Sequence, residues 1–553
     1  MYKIREMLEQ GRHSELWQLC CGFLDLDMVQ FMAIQKQLLK EQIELLNHSE
    51  LGRKVMRGTM PSTIDEFRSQ VPFTTYQDYC PELLEQKETG LPIKPHRWMH
   101  TSGKSGEYPF KWFPVSERAW EELSPVICAG RILAAAKNKG EINITLNAKL
   151  LFATAPAPYM TGVLALKMGE EFGFRYFPSP EDSEKLSFTD RIDKGFWQAL
   201  SEGIDGFYGL PSVLLAIGER FKEGAGSVKI SKLLAHPKAF FRLARGKMRA
   251  RRAKRQMLPR DLWKLRAISS AGTDGIIYRK KIENLWGAPP FDIYGGTESL
   301  IVAMQTWDRT NMTFVPNLNF FEFIPESEHS KWQFDRSYKP KTVLLDEVKA
   351  GENYEIVITN FHGGALVRFR VGDMIRIVSL QNEKLGIKIP QMAFERRADD
   401  RIDVGLMRFT EKMIWQAIEN TNIPYKDWTA RKEIIDANPT LHLYLEPKDN
   451  YDGNEHDVAI AFFEQLRALE QNEVANLENL VNVRPIKVTL LKQGAFANYT
   501  KQRQEEGADL AHLKPPHINP KDKMLLALGV KIAEIPVTSK TSTEVSGVNQ
   551  PQG

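Results

Sequence analysis

The chain of 553 residues is 42% hydrophobic and 26% charged, the composition of an ordinary soluble protein, and it is too long for one hydrophobic core. No apolar run approaches the roughly 20 residues that span a bilayer, so the sequence predicts a protein that is not transmembrane. The net charge of +4 is small, and the four cysteines form no C-x-x-C pair, which argues against disulfides and structural zinc. The charged N-terminus lacks the apolar core of a secretory signal, so we expect a cytoplasmic protein.

The first clear helical pattern lies in residues 31–46. Its apolar residues recur at the spacing of one helix face: Phe31, Ile34, Leu38 and Leu45. From about 150 to 400 the pattern changes to short apolar runs separated by helical segments and Gly/Pro turns. The clearest of these runs are 150–154, 354–359 and 374–380. Because such runs are typical of buried strands, we predict a large α/β domain.

A change of composition near residues 394–405, where charge is dense, predicts a domain boundary. Beyond it the pattern indicates a helix at 410–419, strands at 441–445, 458–463 and 486–491, and a helix at 463–481. This length suffices for a separate α+β domain. We therefore divide the chain into a large domain at 1–395, a small domain at 396–535 and a disordered tail at 536–553.

A strongly basic block interrupts the predicted α/β domain. Residues 224–260 contain twelve lysines and arginines and no acidic residue, so the rest of the chain has 62 basic and 70 acidic residues, a net charge of −8. Such a block indicates an anionic partner at the basic segment 229–260: nucleic acid, an anionic membrane surface or an acidic protein. A solvated surface helix is the alternative interpretation, and nothing makes nucleic acid obligatory.

Residues 100–114, HTSGKSGEYPFKWFP, combine glycines, hydroxyls and a lysine, as phosphate-binding loops do. They are not the P-loop of ATPases and GTPases. That loop requires a glycine five positions before Gly103, and the residue there is the bulky Trp98. The run therefore predicts a loop that holds phosphates by another geometry.

Three later segments place polar residues beside strand-like runs: FDIYGGTESL at 291–300, LVRFRVGDMIRI at 366–377 and RRADDRIDVG at 396–405. Each has a structural alternative when it is taken alone. Gly372-Asp373 is typical of a hairpin turn, Thr297-Glu298 of a helix N-terminus, and residues 396–400 of a salt-bridged surface loop. Their order and spacing, together with residues 100–114, favour one shared site.

In this order the four segments resemble the motifs of the adenylate-forming superfamily, which includes acyl-CoA synthetases, luciferases and nonribosomal-peptide adenylation domains. The chain is most similar to one branch, the auxin-inducible acyl-acid–amido synthetases (the Gretchen Hagen family), and to their bacterial relatives. Three stretches carry this closer likeness: 67–84, 316–328 and 351–373. The resemblance implies an α/β fold, with a large N-terminal adenylate-forming domain containing mixed sheets and a small α+β C-terminal lid domain.

The resemblance also implies how ATP is bound. The loop would surround the β- and γ-phosphates through Thr101, Ser102, Gly103, Ser105 and Gly106. Tyr294, followed by Gly295 in the same motif, would lie against the adenine. Thr297 would bond the α-phosphate, and Glu298 would hold Mg²⁺ through oxygen contacts. Asp373 would accept hydrogen bonds from both ribose hydroxyls, since a carboxylate offers four lone-pair sites.

The catalytic residues that the resemblance implies lie at the hinge and in the small domain. Arg397 would reach the ribose or the phosphates, and Asp399 matches the position about which the small domain turns. Lys514 matches the lysine that closes over the α-phosphate, and Lys501 is the alternative. An ordinary surface lysine is the other interpretation of both.

Two residues depart from the family pattern. Lys104 stands in the phosphate loop where relatives carry a hydroxyl, so it either strengthens phosphate binding or points to solvent. Phe369 replaces the usual tyrosine before Arg370, which removes a hydroxyl and keeps the ring.

The implied reaction is attack of a carboxylate on the α-phosphate of ATP, giving an acyl-adenylate and pyrophosphate, followed by transfer of the acyl group to an amine. The first alternative is an acyl-CoA ligase, which shares the first step. The second is a membrane- or nucleic-acid-docking protein with a degenerate nucleotide site, although Glu298 and Asp373 are both present. The apolar segments 153–165 and 206–214 suit an aromatic or fatty acyl chain, or equally plain core.

Overall fold

The computed structural model describes residues 3–101, 110–186, 188–209, 211–224, 236–271, 275–398, 401–404, 407–436, 438–448, 451–469, 486–505, 515 and 517–531. Several predicted site residues lie outside these ranges: Ser102, Gly103, Lys104, Ser105, Gly106, Asp399 and Lys514. The predicted tail at 536–553 also lies outside them. None of the helices in the described ranges is both long enough and apolar enough to cross a membrane.

The N-terminal part of the chain is helical. Its helices are α1 Ile4–Glu9, α2 His13–Cys21, α3 Met28–His48, α4 Glu50–Val55, α5 Ile64–Gln70 and α6 Glu117–Ala135. Helix α3 confirms the predicted helix at 31–46 and begins at a capping box, in which Asp27 and Gln30 satisfy each other's backbone N–H groups.

The buried face of α3 differs from the predicted one. Phe31 is buried, but Ile34, Leu38 and Leu45 are only half-buried and flank the core-facing stripe. That stripe includes two buried glutamines that hydrogen-bond to backbone: Gln35 donates to the carbonyl of Asn319 at 2.7 Å, and Gln42 donates to the carbonyl of Gly364 at 2.9 Å. An apolar pattern could not reveal them, because burial of a glutamine depends on backbone partners nearly 300 residues away.

The core of the large unit is a mixed sheet, as predicted. Its strands are β3 Lys149–Ala153, β4 Arg175–Phe177, β5 Gly206–Gly209, β6 Ala267–Ala271, β7 Pro290–Gly296, β8 Leu300–Gln305, β9 Met312–Phe314, β10 Asn319–Pro325, β11 Asn353–Asn360, β12 Phe369–Ser379 and β13 Gln391–Arg397. Their order is β10-β11-β12-β13-β9-β8-β7-β6-β5-β3-β4. In this order, each pair of neighbouring strands between β7 and β4 is parallel, and each pair between β10 and β7 is antiparallel. The three predicted strands became β3, β11 and β12.

Helices alternate with these strands along the chain and complete the α/β character of the unit. They are α6, already described, and α7 Met160–Phe172, α8 Pro180–Glu184, α9 Phe188–Glu202, α10 Pro211–Gly224, α11 Pro237–Arg252, α12 Pro259–Leu262, α13 Gly275–Trp286 and α14 Glu326–Phe334. Before them, β1 Pro95–His100 and β2 Trp112–Ser116 form an antiparallel pair of their own. The predicted α/β class is therefore confirmed.

The C-terminal part of the chain has its own sheets and core. Its strands are β14 Arg401–Val404, β15 Met407–Thr410, β16 Tyr425–Ile435, β17 Asn438–Pro447 and β18 Ile486–Leu490, and its helices are α15 Glu411–Asn420, α16 Glu455–Leu469, α17 Ala495–Glu505 and α18 Asp522–Ala527. Neither of its sheets shares a strand with the large sheet. This is a small α+β unit, as expected, and the boundary at residue 396 stays a prediction.

One predicted strand of this unit is wrong. Residues 458–463 belong to helix α16, whose buried residues Val458, Phe462 and Leu466 follow at four-residue intervals. Asn454 caps this helix by accepting a hydrogen bond from the N–H of Asp457 at 2.9 Å. The run VAIAFF is so short that its apolar pattern fits a strand and a buried helix turn equally well. The Asn454 cap favours the helix.

His517 anchors the end of the small unit. Its Nδ1 lies 2.7 Å from a carboxylate oxygen of Glu411, and its Nε2 lies 2.9 Å from one of Asp427. The ring stacks on Trp428 at a centroid distance of 4.4 Å. Burial lowers the pKa of His517, but hydrogen bonds and charge from Asp427 and Glu411 outweigh it, so its pKa is raised above the ordinary 6.5.

This raised pKa predicts that the small unit loses stability as the pH rises. The interaction is complete below the ordinary histidine pKa and disappears as the pH passes through the raised value, because only the imidazolium donates from both nitrogens. We expect the thermal midpoint to fall between about pH 6 and pH 8, and His517→Gln to flatten that dependence. Thermal unfolding followed by calorimetry across this range provides the measurement, with exposed His456 changed to Gln as the control. If the thermal midpoint of the His517→Gln variant still falls with pH as steeply as that of the unaltered protein, the assignment of this pH dependence to His517 is wrong.

Candidate functional site

The YGGTE motif forms the end of β7 and the tight turn into β8. Gly295 is required there, because a Cβ at this position would lie 1.9 Å from the carbonyl oxygen of Leu300. The N–H of Gly296 donates to the Ser299 hydroxyl at 2.9 Å, and Asn360 donates to the carbonyl of Glu298 at 2.9 Å. Thr297 and Glu298 therefore lie on a turn between antiparallel strands, and the helix N-terminus interpretation is wrong.

The carboxylate of Glu298 folds back over Gly296. A Cβ on Gly296 would lie 2.6 Å from its Oε1, so the missing side chain provides the space that the carboxylate uses. Glu298 is half-buried, and within the described ranges its carboxylate has neither an ion pair nor a side-chain hydrogen bond. Carboxylate oxygens are ligands that Mg²⁺ prefers, so the chemistry of Glu298 is compatible with holding that ion.

The FRVGD motif lies inside one continuous strand, β12, and does not form the hairpin turn that was the alternative interpretation. Residues 371–373 of β12 face the single residue Ile356 of β11, which makes a bulge. Gly372 has φ +78°, and its carbonyl accepts a hydrogen bond from the N–H of Ala398 at 2.8 Å. The bulge places Asp373 opposite Arg397 on β13.

Tyr294 and Asp373 meet across the sheet. The hydroxyl of Tyr294 donates to Oδ2 of Asp373 at 2.8 Å, and both residues are more than nine-tenths buried. Their strands, β7 and β12, are separated in the sheet by β8, β9 and β13. However, β13 pairs with β9 only through Gln391 and Met392. Beyond these two residues the strands separate, and the Phe394 ring lies 6.1 Å from that of Tyr294. The structure thus brings together two of the predicted site segments.

Buried ion pairs beside the bulge were not predicted. Arg370 makes two hydrogen bonds to Glu355, at 2.8 and 2.6 Å, and its guanidinium lies 3.6 Å from the ring centroid of Trp332. Burial alone would raise the pKa of Glu355, but hydrogen bonds from His329 and Arg370 outweigh it and lower that pKa. The signal in the sequence was a glutamate inside the apolar strand run YEIVIT, since a buried carboxylate requires a partner.

A second buried pair fixes the residue before the bulge. Arg368 donates to both carboxylate oxygens of Glu322, at 2.9 and 2.8 Å, and also to the carbonyl of Val71. Phe369, the departure from the family pattern, packs against Tyr79 and Phe113 and is 6% exposed. Its side chain therefore belongs to the core.

The predicted phosphate loop connects β1 and β2, and only its base is described. The N–H of Thr101 donates to the carbonyl of Lys111 at 3.1 Å, and the N–H of Lys111 donates to the Thr101 hydroxyl at 3.3 Å. His100, at the end of β1, packs against the ring of Tyr159 at 4.3 Å. The apolar segment 153–165 therefore adjoins the base of the loop, whereas residues 206–209 form the buried strand β5.

The two lysine candidates have different positions. Lys501 is exposed on α17, and Lys514 lies outside the described residues. The backbone of Arg397 ends β13 in register with Asp373. These residues keep the roles predicted above as expectations.

Two parts of the chain match the GH3 family. Residues 21–184 match the GH3 family N-terminal domain, and residues 312–397 match the GH3 family central domain. The stretches 67–84, 316–328 and 351–373 all lie within these matches, whereas YGGTE lies between them.

Among curated proteins, 239 residues of the chain are 28% identical to the 4-substituted benzoates–glutamate ligase GH3.12 of Arabidopsis thaliana, over 40% of this chain and 39% of that enzyme. Matches to three such plant enzymes span between 28% and 39% of their lengths.

Two solved structures have a similar fold. The GH3.15 acyl acid amido synthetase in complex with 2,4-DB matches at TM-score 0.50 and 17% identity, over 92% of this chain and 95% of its own. A 2-hydroxyisobutyryl-CoA ligase in complex with 2-HIB-AMP and CoA matches at TM-score 0.51 and 16% identity, over 90% and 91%. These likenesses confirm the predicted adenylate-forming fold. Together with the matched domains they confirm the resemblance inferred from the sequence: parts of this chain are similar to the N-terminal and central domains of the GH3 family.

Proposed function

We propose that this protein is an ATP-dependent acyl-acid amido synthetase, which activates a carboxylic acid as its acyl-adenylate and transfers the acyl group to the amine of an amino acid. The observation that carries the proposal is the hydrogen bond between Tyr294 and Asp373, which joins two motif segments. The nucleotide would occupy a crevice bordered by these two residues, Thr297 and Glu298. Relatives that are similar to parts of this chain are named as acid–amino acid ligases, which supports the same reaction. A cytoplasmic location fits this activity.

The adenylation step requires no general base. A substrate carboxylate is ionised at neutral pH, so one of its oxygens forms the bond to the α-phosphorus while the bond to the β-phosphate oxygen breaks and pyrophosphate leaves. The neutral amine then attacks the acyl carbonyl, its proton passes to water, the bond between the acyl carbon and the phosphate oxygen breaks, and AMP leaves. The protein's task is to hold two anions together and to stabilise the charge that develops between them.

Four residues of the crevice would hold the nucleotide. Asp373 would accept hydrogen bonds from the ribose hydroxyls, and Tyr294 beside it would lie against the adenine. Thr297 would donate to the α-phosphate from the turn that Gly295 makes possible. Glu298 would hold Mg²⁺, which when bound screens the charge of the phosphates.

The hairpin of β1 and β2 would supply the phosphate loop. Thr101 is held at its base, so the hydroxyls and N–H groups of the loop would be directed at the β- and γ-phosphates: Thr101, Ser102, Gly103, Ser105 and Gly106. The adjoining segment 153–165 would border the acyl group, because His100 and Tyr159 already join the two segments.

The small unit would act as a lid. We propose that residues 396–535 move relative to residues 1–395 about Asp399, with 536–553 as a tail. Arg397 lies beside this pivot and in register with Asp373, so it would reach the ribose or the phosphates. Lys514 would close over the α-phosphate, where a cation stabilises the pentavalent transition state.

Replacing either carboxylate of the crevice is expected to abolish adenylation. Asp373→Ala and Glu298→Ala should each lower carboxylate-dependent exchange of labelled pyrophosphate into ATP by about 100-fold or more, since each removes a positioning or charge-stabilising contact. Glu395→Ala, at an exposed carboxylate on the neighbouring strand β13, should exchange like the unaltered protein. Unchanged exchange in both crevice variants would mean that the site is misassigned.

The two lysine candidates are separated by the same assay. Lys514→Ala should reduce exchange by about 100-fold, because it removes a cation from the transferring phosphate, while Lys501→Ala should change it less than threefold. The reverse order would transfer the role to Lys501. Thermal unfolding of both variants controls for loss of the fold.

The acceptor distinguishes the amido synthetase from an acyl-CoA ligase. Pyrophosphate release is first screened over aromatic acids, including 4-substituted benzoates, and over fatty acids. The best acid is then supplied with each amino acid or with CoA, and products are identified by mass spectrometry. An acyl–amino acid amide is the expected product. A thioester without any amide would establish the CoA ligase, and no pyrophosphate release with any acid would favour a degenerate nucleotide site.

A further inference from the structure

Helix α11, Pro237–Arg252, lies on the surface of the large unit and is held there by small residues. Its buried positions are Ala239, Gly246 and Ala250, and it packs against α9 and α12. A Cβ on Gly246 would lie 2.6 Å from Leu262, so this glycine permits the close approach. Two of its arginines anchor it from the sides: Arg242 donates to the carbonyl of Leu200, and Arg249 donates to that of Asp261 at 2.9 Å.

The face turned away from the protein is apolar along its centre. Phe241, Ala244 and Met248 follow at intervals of three and four residues and therefore form one ridge. Phe241 is 70% exposed and Met248 is 49% exposed, and the neighbouring Phe240 packs edge-on against Phe241 at 5.9 Å while remaining 51% exposed. Three of the eleven exposed large hydrophobic residues in the described ranges lie on this helix, so the ridge is a concentrated apolar surface.

Cations flank the ridge on both sides. At 3.6 residues per turn, one row contains Lys247 and Arg251, and the other contains Lys238, Arg245 and Arg252. All five are exposed, and none lies within 4.0 Å of a carboxylate in the described part of the chain. Nearby Arg255, in contrast, is paired with Asp261 at 2.7 Å. The five cations therefore present unneutralised charge around an apolar centre.

We propose that α11 docks the protein onto the surface of an anionic phospholipid bilayer. The ridge would enter the boundary between headgroups and acyl chains, while the flanking lysines and arginines reach the lipid phosphates with their charged ends. In this arrangement the apolar side chains contact acyl chains and the charged side chains contact lipid phosphates. A nucleic acid would engage the cations and leave the exposed phenylalanines without a role.

The charge of the rest of the chain would orient the docked protein. Outside residues 224–260 the chain carries 62 basic and 70 acidic residues, a net charge of −8, so an anionic membrane repels most of the molecule and attracts this block. Because screening limits such forces to about 10 Å at 0.1 M salt, the attraction acts on the helix face and its immediate surroundings.

Flotation of the full-length protein with vesicles tests the proposal. We expect co-flotation with phosphatidylcholine vesicles that contain about 30% phosphatidylserine, weak or no co-flotation with phosphatidylcholine alone, and weaker binding as salt is raised. Equal binding to both vesicle types, or no binding to either, would overturn the proposal.

Matched variants test whether this helix makes the contact. Phe241→Ser combined with Met248→Ser should lower the partition coefficient at least about tenfold, through loss of apolar burial. Lys247→Ala combined with Arg251→Ala should lower it roughly 30-fold. The controls are Phe334→Ser, a phenylalanine 72% exposed elsewhere, and Lys384→Ala with Lys388→Ala, which should leave binding unchanged.

The same variants also test whether the helix binds a nucleic acid or an acidic protein instead of a membrane. The protein is also tested with a single-stranded oligonucleotide and with a polyglutamate peptide. If it binds one of these, and the serine variants bind both that ligand and the vesicles as tightly as the unaltered protein does, then the ridge has no role and the proposal is wrong. If only vesicle binding requires both the ridge and the cations, the membrane assignment stands. Pyrophosphate exchange should be the same in all these variants, which separates this result from the proposed enzymatic function.

Discussion

The contact between the Tyr294 hydroxyl and the Asp373 carboxylate depends on how two halves of one sheet separate. A carboxylate removed from water is costly unless it is hydrogen-bonded, and the sheet satisfies Asp373 by bringing a tyrosine from β7 to the bulge in β12. In the proposed function, the space for the nucleotide would lie where these strands separate, beside the turn that carries Thr297 and Glu298. Under the proposed function, ribose hydroxyls would replace or join the tyrosine as donors to this carboxylate.

The bulge in turn depends on charges buried beneath the strands. Arg368 is paired with Glu322, and Arg370 with Glu355 and His329, so buried ion pairs hold the segment that leads into the bulge. Removing one member of such a pair leaves an uncompensated buried charge, which typically costs about 3–5 kcal/mol. These pairs therefore restrict where Asp373 can lie, although they do not touch the proposed nucleotide.

Part of the backbone of the candidate site could be predicted from the sequence, because its segments contain glycines at the positions where the chain turns or bulges. Gly295 and Gly372 indicate backbone geometries that only glycine adopts easily, and the structure shows a tight turn and a left-handed residue there. Three features could not be predicted from the spacing of apolar residues alone. Gln35 lies in the core because of a distant backbone carbonyl, residues 458–463 are helical because of the Asn454 cap, and Glu355 is buried because Arg370 lies opposite. Each depends on a partner far along the chain or on a single capping atom, which periodicity does not register.

The most direct test of the account is a crystal structure of the protein with a non-hydrolysable acyl-adenylate analogue. The account predicts that both ribose hydroxyls hydrogen-bond to Asp373, that the adenine lies against Tyr294, and that the group replacing the α-phosphate lies beside Thr297. An analogue bound elsewhere, with the Tyr294–Asp373 contact unchanged and the crevice empty, would contradict it.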